Sequence, residues 1–173
     1  MANPKDIDEL WLVLRIRLGQ PGYEARYRTE AAFEADVWKR IVTLATDLEI
    51  DVASTCLTSH AIRSDRSVSE WERFLKEKAG PDVNALCSNN RLDIVFRHQS
   101  HGSVGIEVKC LGLTGHAGKL TQAIGQALLG LWHRDRTIVA IHCGTVETDV
   151  RDRLRKIGKK ICDGTKTALV VVP

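Results

Sequence analysis

The stretch Arg91–Lys109 reads RLDIVFRHQSHGSVGIEVK, and it is the place in the chain where charged residues fall inside apolar, strand-forming runs. Two of these runs, Leu92–Phe96 and Val104–Val108, are rich in Val, Ile and Phe. The polar segment between them, His98–Gly102, has the composition of a tight turn. The whole stretch therefore predicts a β-hairpin.

A symmetrical turn in this hairpin pairs Val95 with Gly105 and Asp93 with Glu107, so that two carboxylates stand directly opposite each other. Because side chains alternate along a strand, Asp93, Glu107 and Lys109 share one face, and the apolar side chains point to the other face, where a core is expected. Directly opposed like charges destabilise a hairpin. Their presence indicates a counter-ion, and a hard divalent cation with oxygen ligands is the simplest one.

The order of these charged residues resembles the signature of the PD-(D/E)xK nuclease superfamily. In this chain Asp93 opens one strand, and Glu107 and Lys109 form the Glu-x-Lys of the next. Leu92 stands where the family name has Pro, which is often absent in the superfamily. The resemblance covers about residues 29–172. It implies a restriction-endonuclease-like α/β fold with an αβββαβ core, a mixed sheet flanked by helices.

The resemblance also implies an activity, that of a divalent-metal-dependent endonuclease that hydrolyses phosphodiester bonds. DNA is the expected substrate, and Mg²⁺ or Mn²⁺ is the expected cofactor. Asp93, Glu107 and the main-chain carbonyl of Val108 would be metal ligands. Lys109 would orient the attacking water and offset the negative charge that develops during hydrolysis.

A helix that begins after Thr29 and runs to about Leu48 supplies a further candidate acid. Many members of the superfamily carry an acid on this helix that completes the metal site. Glu30 and Glu34 both fall on or beside the apolar side of the helix. We favour Glu34 as a catalytic residue and metal ligand, because Phe33-Glu34 resembles a pattern of Mrr-like restriction enzymes. Glu30 is better explained as an acid of the first helical turn.

The segment Leu120–Trp132 predicts another helix, with Gln122 and Gln126 one turn apart. Superfamily members frequently place a Gln or a Lys on this helix, facing the site. Gln122 ranks ahead of Gln126 as a catalytic residue, because it lies nearer the start of the helix and hence nearer Lys109. Two solvated glutamines are an equally good reading, since Gln is a good helix former.

The remaining elements follow from periodicity and capping signals. They are a helix over Asp6–Leu18, a strand over Ile50–Leu57, a short helix that begins at Ser69 and is ended by Gly80-Pro81, a strand over Thr137–Cys143, a helix capped by Thr145 with Val146, Val150, Leu154 and Ile157 inward, and a strand over Ala168–Val172. The first helix precedes the core, and we expect it to pack on the core rather than to form a dimer contact.

The dipeptide Pro81-Asp82 also spells the start of the family motif. It follows a helix stop at Gly80, and the segment Val83–Leu86 after it is expected to lack a partner strand joined by a tight turn. Choosing Asp82 would also leave Asp93 as an unexplained acid in an apolar strand. We therefore assign the motif to Asp93.

The composition is typical of one soluble globular domain, with 173 residues, 43% hydrophobic and 27% charged. We expect a single domain over residues 1–173, with an N-terminal extension at 1–28 and the core at 29–172. Five cysteines without a C-x-x-C pair fit reduced thiols. No apolar run reaches membrane-spanning length, and the start, MANPKDIDEL, has no signal-peptide pattern. These features predict a cytoplasmic protein with no membrane partner.

The net charge of +3 favours a polyanionic partner but is lower than in many nucleic-acid-binding domains. The densest basic patch is the outer face of the helix after Thr145, which could track a phosphate backbone. A solvated basic face is the commoner meaning of such a run. Nucleic acid, and DNA in particular, is the partner that the resemblance implies, and a homodimer is a further expectation because many members of the superfamily dimerise.

Three alternatives to the nuclease compete for the same residues. A bare D…ExK match is often a cross-strand charge cluster with a structural role. A non-catalytic nucleic-acid-binding or structural subunit on the nuclease fold is the main competitor, although such a subunit need not keep Asp, Glu and Lys together. A zinc hydrolase would draw on the histidines, whose spacing lacks a metal-binding helical pair; these are His98, His101, His116 and His142.

Overall fold

The computed structural model describes residues 3–51, 56–58, 83–85, 88–90, 92–111 and 116–173. These residues form an α/β structure in which a mixed sheet lies between helices, so the predicted class is confirmed. The helices are α1 (Ile7–Gly19), α2 (Glu30–Asp47), α3 (His116–Gly130) and α4 (Thr148–Cys162). The strands are β1 (Cys56–Thr58), β2 (Val83–Ala85), β3 (Ser88–Asn90), β4 (Ile94–His98), β5 (Gly102–Cys110), β6 (Arg136–His142) and β7 (Thr167–Val172).

The main sheet has the strand order β1-β4-β5-β6-β7. The pairs β1–β4 and β4–β5 are antiparallel, whereas β5–β6 and β6–β7 are parallel. Parallel neighbours need a crossover connection, and α3 and α4 provide the two crossovers. Both crossovers advance in the same direction across the sheet, so their common handedness places both helices on the same face.

The β4–β5 hairpin has the predicted register. Val95 pairs with Gly105, and Arg97 pairs with Ser103. Asp93 directly precedes β4, and the same register places it opposite Glu107.

Each face of the sheet is buried against two helices. On one face α1 and α2 cover the apolar side chains of the hairpin, and on the other face α3 and α4 cover β6. A sheet that is buried on both faces calls for nearly continuous apolar strands, and the run TIVAI in β6 provides one. The first core contains Leu10, Leu14, Phe33, Ile41, Phe96 and Ile106, and the second contains Leu120, Ala123, Val139, Ile141 and Leu154.

The N-cap predicted at Thr29 is confirmed, and Asp6, which was expected inside the first helix, is the N-cap of α1. The Asp6 side chain accepts hydrogen bonds from two amides in the first turn of α1, each at 2.9 Å. The Thr29 hydroxyl accepts one from the amide of Ala32 at 3.1 Å in the first turn of α2. The indole of Trp11 donates to the carbonyl of Thr137 at 3.0 Å, which ties α1 to β6. The N-terminal helix therefore packs on the core, as expected.

The last two helices differ from their predicted limits. Helix α3 covers His116–Gly130, so it starts four residues earlier and ends two residues earlier than predicted. The Thr145 cap is wrong, because Gly144 has a φ of 56° and the chain turns there before α4 begins at Thr148. The inward position of Ile157 is also wrong, since its side chain is 46% exposed. Gly158 faces the sheet instead, where an added Cβ would lie 1.9 Å from Leu169 Cδ2.

Two strand predictions also need correction. The first strand was expected over Ile50–Leu57, but Ile50 and Asp51 are not in a strand, and β1 starts at Cys56; residues 52–55 lie outside the described part. Strand β2, directly after Asp82, does have a partner, because it pairs with β3, and only two residues separate the two strands in the sequence. The segment Ser88-Asn89-Asn90 has no apolar residue, so it lacks the alternation of apolar and polar residues that predicts a strand. Asp82 and the predicted helix between Ser69 and Gly80 lie outside the described residues.

None of the helices in the described ranges combines the length and the apolar character that a membrane crossing requires. Three of the five cysteines, Cys110, Cys143 and Cys162, are free thiols in the described part of the chain.

The C-terminus of α2 gives the first prediction. Glu49 has a φ of 56°, and the next amide, of Ile50, donates to the carbonyl of Ala45 at 2.8 Å. The left-handed conformation costs roughly 1–2 kcal/mol for a residue with a Cβ. We expect Glu49→Gly to raise the free energy of unfolding by about 1 kcal/mol, whereas Glu49→Ala keeps the Cβ and gives no such gain. Urea unfolding measures both, and an equal gain in both variants would assign the effect to the lost charge.

Candidate functional site

Leu92 fixes the backbone at the entrance to β4. Its side chain is 4% exposed and fills a notch between β5 and α3, where two glycines leave room for it. A Cβ added at Gly105 would lie 2.1 Å from Leu92 Cδ1, and one added at Gly130 would lie 2.7 Å from the same atom. The close packing of Leu92 therefore sets the position of the next residue, Asp93.

Asp93 is held against β5 by a main-chain hydrogen bond. The amide of Val108 donates to Asp93 Oδ2 at 2.8 Å. Val108 lies between Glu107 and Lys109 in the strand, so this hydrogen bond holds Asp93 close to both of them. The structure thus assembles Asp93, Glu107 and Lys109 at the C-terminal end of β5.

Lys109 lies between two carboxylates. Its Nζ donates to Glu30 Oε1 at 3.0 Å and is 3.2 Å from Glu107 Oε1. The second oxygen of Glu30 accepts a hydrogen bond from the amide of Cys110 at 3.2 Å. Glu107 is 1% exposed, and neither of its carboxylate oxygens has a hydrogen bond of good geometry with a described group. Its ion pair with Lys109 is therefore the contact that offsets its charge.

Both opposed carboxyl groups are weaker acids than usual. Burial, with a contribution from the charge of Glu34, raises the pKa of Asp93 to about 7, although the Val108 amide opposes the shift. Burial and the charge of Asp93 raise the pKa of Glu107 to about 8. At neutral pH the pair therefore retains a proton when no cation is bound.

The Lys109 ammonium remains charged over the whole neutral range. Burial works against its charge, but the hydrogen bond with Glu30 and the charges of Glu107 and Asp93 outweigh burial and raise its pKa to about 12. Lys109 is therefore a hydrogen-bond donor and a positive charge, and it is unsuited to act as a general base at neutral pH.

Helix α2 brings both of its candidate acids to this site. Glu34 is 1% exposed, and its charge acts on Asp93. The side chain of Glu30 is 42% exposed and holds Lys109. The choice of Glu34 as a ligand stays a prediction, while the contact between Glu30 and Lys109 was missed. The one-turn spacing of the two acids was the available signal, because residues i and i+4 share a helix face.

Helix α3 contributes a residue that the sequence prediction did not name. Lys119 donates from Nζ to the carbonyl of Cys110 at 3.0 Å, whereas Gln122 is exposed and Gln126 is half-buried. The predicted helix began at Leu120, one residue too late to include Lys119. The expectation of a Gln or a Lys on this helix would have identified Lys119 if the start of the helix had been known.

The two histidines of the hairpin turn lie far from these carboxylates. His98 and His101 stack at 4.2 Å between ring centroids in the hairpin turn, at the opposite end of β5 from Lys109. His142 is buried, and its Nε2 is 3.0 Å from the carbonyl of Glu24. Within the described residues, no group of three or more His, Cys, Asp and Glu side chains is placed to hold a metal. A divalent cation at Asp93 and Glu107 would need further oxygen ligands besides these two carboxylates.

Comparison of the chain with protein-family models, with curated proteins and with solved structures finds no match. The resemblance to the PD-(D/E)xK superfamily thus depends on the motif residues and on the arrangement described above.

The raised pKa values predict how stability depends on pH without metal. The folded-state values of about 7 and 8 lie above the ordinary 3.8 and 4.5, so between pH 5 and 8 the folded state binds more protons than the unfolded chain. The free energy of unfolding then falls as the pH rises, by up to about 1.4 kcal/mol per pH unit for each extra proton. Glu107→Gln removes one titrating group and relieves Asp93, so we expect a flatter decline.

Urea unfolding in EDTA at pH 5, 6, 7 and 8 measures this difference. Burial lowers the pKa of His142, which acts in the opposite direction, but it does so in both proteins and cancels in the comparison. Parallel pH profiles of wild type and Glu107→Gln would contradict the proposed protonation of the carboxylate pair.

Proposed function

We propose that this chain is a divalent-metal-dependent endonuclease of the PD-(D/E)xK superfamily, with a restriction-endonuclease-like fold and DNA as its substrate. The observation that carries the proposal is the pair of half-buried Asp93 and buried Glu107, opposed across the β4–β5 hairpin beside Lys109. The order α2, β1, β4, β5, α3, β6 supports the fold assignment, because it follows an αβββαβ core with the β2–β3 hairpin inserted and β7 added. The described free thiols fit the cytoplasm as its compartment.

The oxygen atoms of the pair fit a hard divalent cation. Asp93 is half-buried and Glu107 is buried, their ionised forms repel each other, and Glu107 lacks a hydrogen bond from a described group, so a cation would offset a large part of the electrostatic cost of ionising the pair. Mg²⁺ is commonly held by one or two carboxylates together with waters and substrate phosphates. Asp93, Glu107 and the carbonyl of Val108 would hold Mg²⁺ or Mn²⁺, with Glu34 adding negative charge. When bound, the cation would supply Lewis-acid chemistry and a more acidic water.

Lys109 acts through its fixed positive charge. Glu30 and Glu107 hold its ammonium, and 13% of the side chain remains exposed, so it can donate to a group entering from solvent. A donor that is already oriented stabilises the negative charge that develops on phosphoryl oxygens. Gln122 on α3 is exposed, and its role in catalysis is a weaker part of the proposal.

A non-catalytic nucleic-acid-binding subunit is the second candidate. The ion pairs of Lys109 with Glu30 and Glu107 favour it, because such a charge cluster can stabilise the fold without taking part in a reaction. The measurement that separates the two candidates is turnover.

Metal binding gives the third prediction. Titration of the wild type with Mg²⁺ or Mn²⁺ is expected to raise the melting temperature and to release a proton near pH 7, because the bound pair must be deprotonated. Calorimetry in buffers of different ionisation enthalpy measures that proton. Asp93→Asn should lose both effects, whereas the control Asp47→Asn removes an exposed carboxylate on the same protein and should retain them. Equal metal binding by Asp93→Asn would contradict the assignment of this ligand.

Turnover gives the fourth prediction. Lys109→Met keeps most of the apolar stem but removes the donor, and we expect the cleavage rate to fall roughly 10²–10³-fold while Mg²⁺ binding persists. Plasmid, oligonucleotide and RNA substrates with Mg²⁺ or Mn²⁺, and with EDTA as the blank, measure the rate. Lys39→Ala, an exposed lysine in the middle of α2, is the control and should keep full activity.

Two outcomes would count against this account of turnover. Full activity in Lys109→Met would mean that another group supplies the positive charge that stabilises the phosphoryl oxygens during cleavage. A wild type that binds DNA but cleaves none of these substrates would support the non-catalytic candidate.

A further inference from the structure

A cavity of about 470 Å³ lies beside the candidate active site. Its wall includes Arg26 and Arg28 in the segment before α2, Cys110 at the end of β5, and Lys119 on α3. Glu30 lines the cavity as well, and the same carboxylate holds Lys109. The cavity and the carboxylate pair are therefore neighbours that share one side chain.

The cavity is positively charged. Arg26, Arg28 and Lys119 contribute three cations to its wall, and Glu30, the acid in that wall, already forms an ion pair with Lys109. Both arginines are exposed, and neither has a hydrogen bond or ion pair with a described residue. Their guanidinium groups are thus available to a ligand without first breaking a contact within the described part of the protein.

The main chain adds to this charge. Thr29 and Glu30 line the cavity at the start of α2, so the positive end of that helix is directed towards it. The turn at Thr145 and Val146 also lines it, shortly before α4, whose first turn receives no side-chain cap. Amides at helix starts and arginine side chains are the groups that bind phosphate in proteins.

The back of the cavity is aromatic. The ring of His142 is buried against Tyr27, with 4.7 Å between ring centroids, and both residues line the cavity. This combination of cations and flat aromatic rings in one cavity suits a nucleotide, which presents a phosphate at one end and a sugar and base at the other.

On the basis of the proposed nuclease function, we propose that this cavity binds one nucleotide of the substrate strand next to the scissile phosphate. Arg26 and Arg28 bind the phosphate of that nucleotide, and Lys119 contributes positive charge at the inner wall. A strand is favoured over a free nucleotide because Glu30 belongs both to the cavity and to the contact with Lys109. One continuous chain of phosphates then occupies the cavity and reaches the carboxylate pair.

The test measures binding without catalysis, by fluorescence anisotropy of labelled single-stranded and duplex 12-mers in EDTA. The double variant Arg26→Ala/Arg28→Ala is expected to bind at least about ten-fold more weakly than wild type, and the slope of log K against log salt should fall by about 1 to 2. The control Lys39→Ala/Lys166→Ala removes two exposed cations outside the cavity and should change affinity less than about three-fold. Arg26→Lys/Arg28→Lys should restore part of the affinity, because it keeps the charge.

The outcomes separate this proposal from the nuclease proposal. Equal affinities of the two alanine double variants, or no binding of either oligonucleotide by wild type, would overturn the cavity proposal. Competition by inorganic phosphate or a nucleoside monophosphate at the concentration of the oligonucleotide would also overturn it, in favour of a free nucleotide. Binding that depends on Arg26 and Arg28, without any cleavage in Mg²⁺, would support the cavity proposal and contradict the nuclease proposal. A circular-dichroism melt confirms that each variant is folded.

Discussion

The opposition of Asp93 and Glu107 across the β4–β5 hairpin is the constraint on which the site depends. The half-buried carboxylate of Asp93 and the buried carboxylate of Glu107 repel each other when both are ionised, and the surrounding structure offsets the repulsion only in part. The Val108 amide and the Lys109 ammonium stabilise the ionised forms, and Leu92 holds the backbone where the two groups meet. The remaining electrostatic cost is what a cation would relieve, and it is also why the pair retains a proton without one.

The sheet topology explains why the site lies at one end of β5. Strands β5 and β6 are parallel, so their C-terminal ends meet at the same edge, with Cys110 paired to His142. Helices α3 and α4 begin after these strands, and α2 begins at the same edge, because Glu30 contacts Lys109 and Cys110. Carboxylates, cations and helix starts therefore gather in one crevice, which is where open α/β sheets commonly bind ligands.

Much of this arrangement could be predicted from the sequence because it depends on local patterns. The register of the hairpin follows from strand alternation and a symmetrical turn, and the cap at Thr29 is a local hydrogen bond. The start of α3 could not be predicted in the same way, because His116-Ala117-Gly118 carries no apolar periodicity, and so Lys119 was missed. Strand β3 has no apolar residue, so the hydrophobic pattern of the sequence did not indicate its pairing with β2.

Helix α3 is attached to β5 at both of its ends. Near its start, Lys119 binds the carbonyl of Cys110, and at its end Gly130 receives the side chain of Leu92, which also presses against Gly105. Local opening of α3 would therefore release the packing that positions Asp93, so the helix and the hairpin form one cooperative unit of unfolding. In hydrogen exchange the amides of α3 and β5 would then share a common opening free energy, and the geometry of the carboxylate pair would be lost only when that whole unit opens.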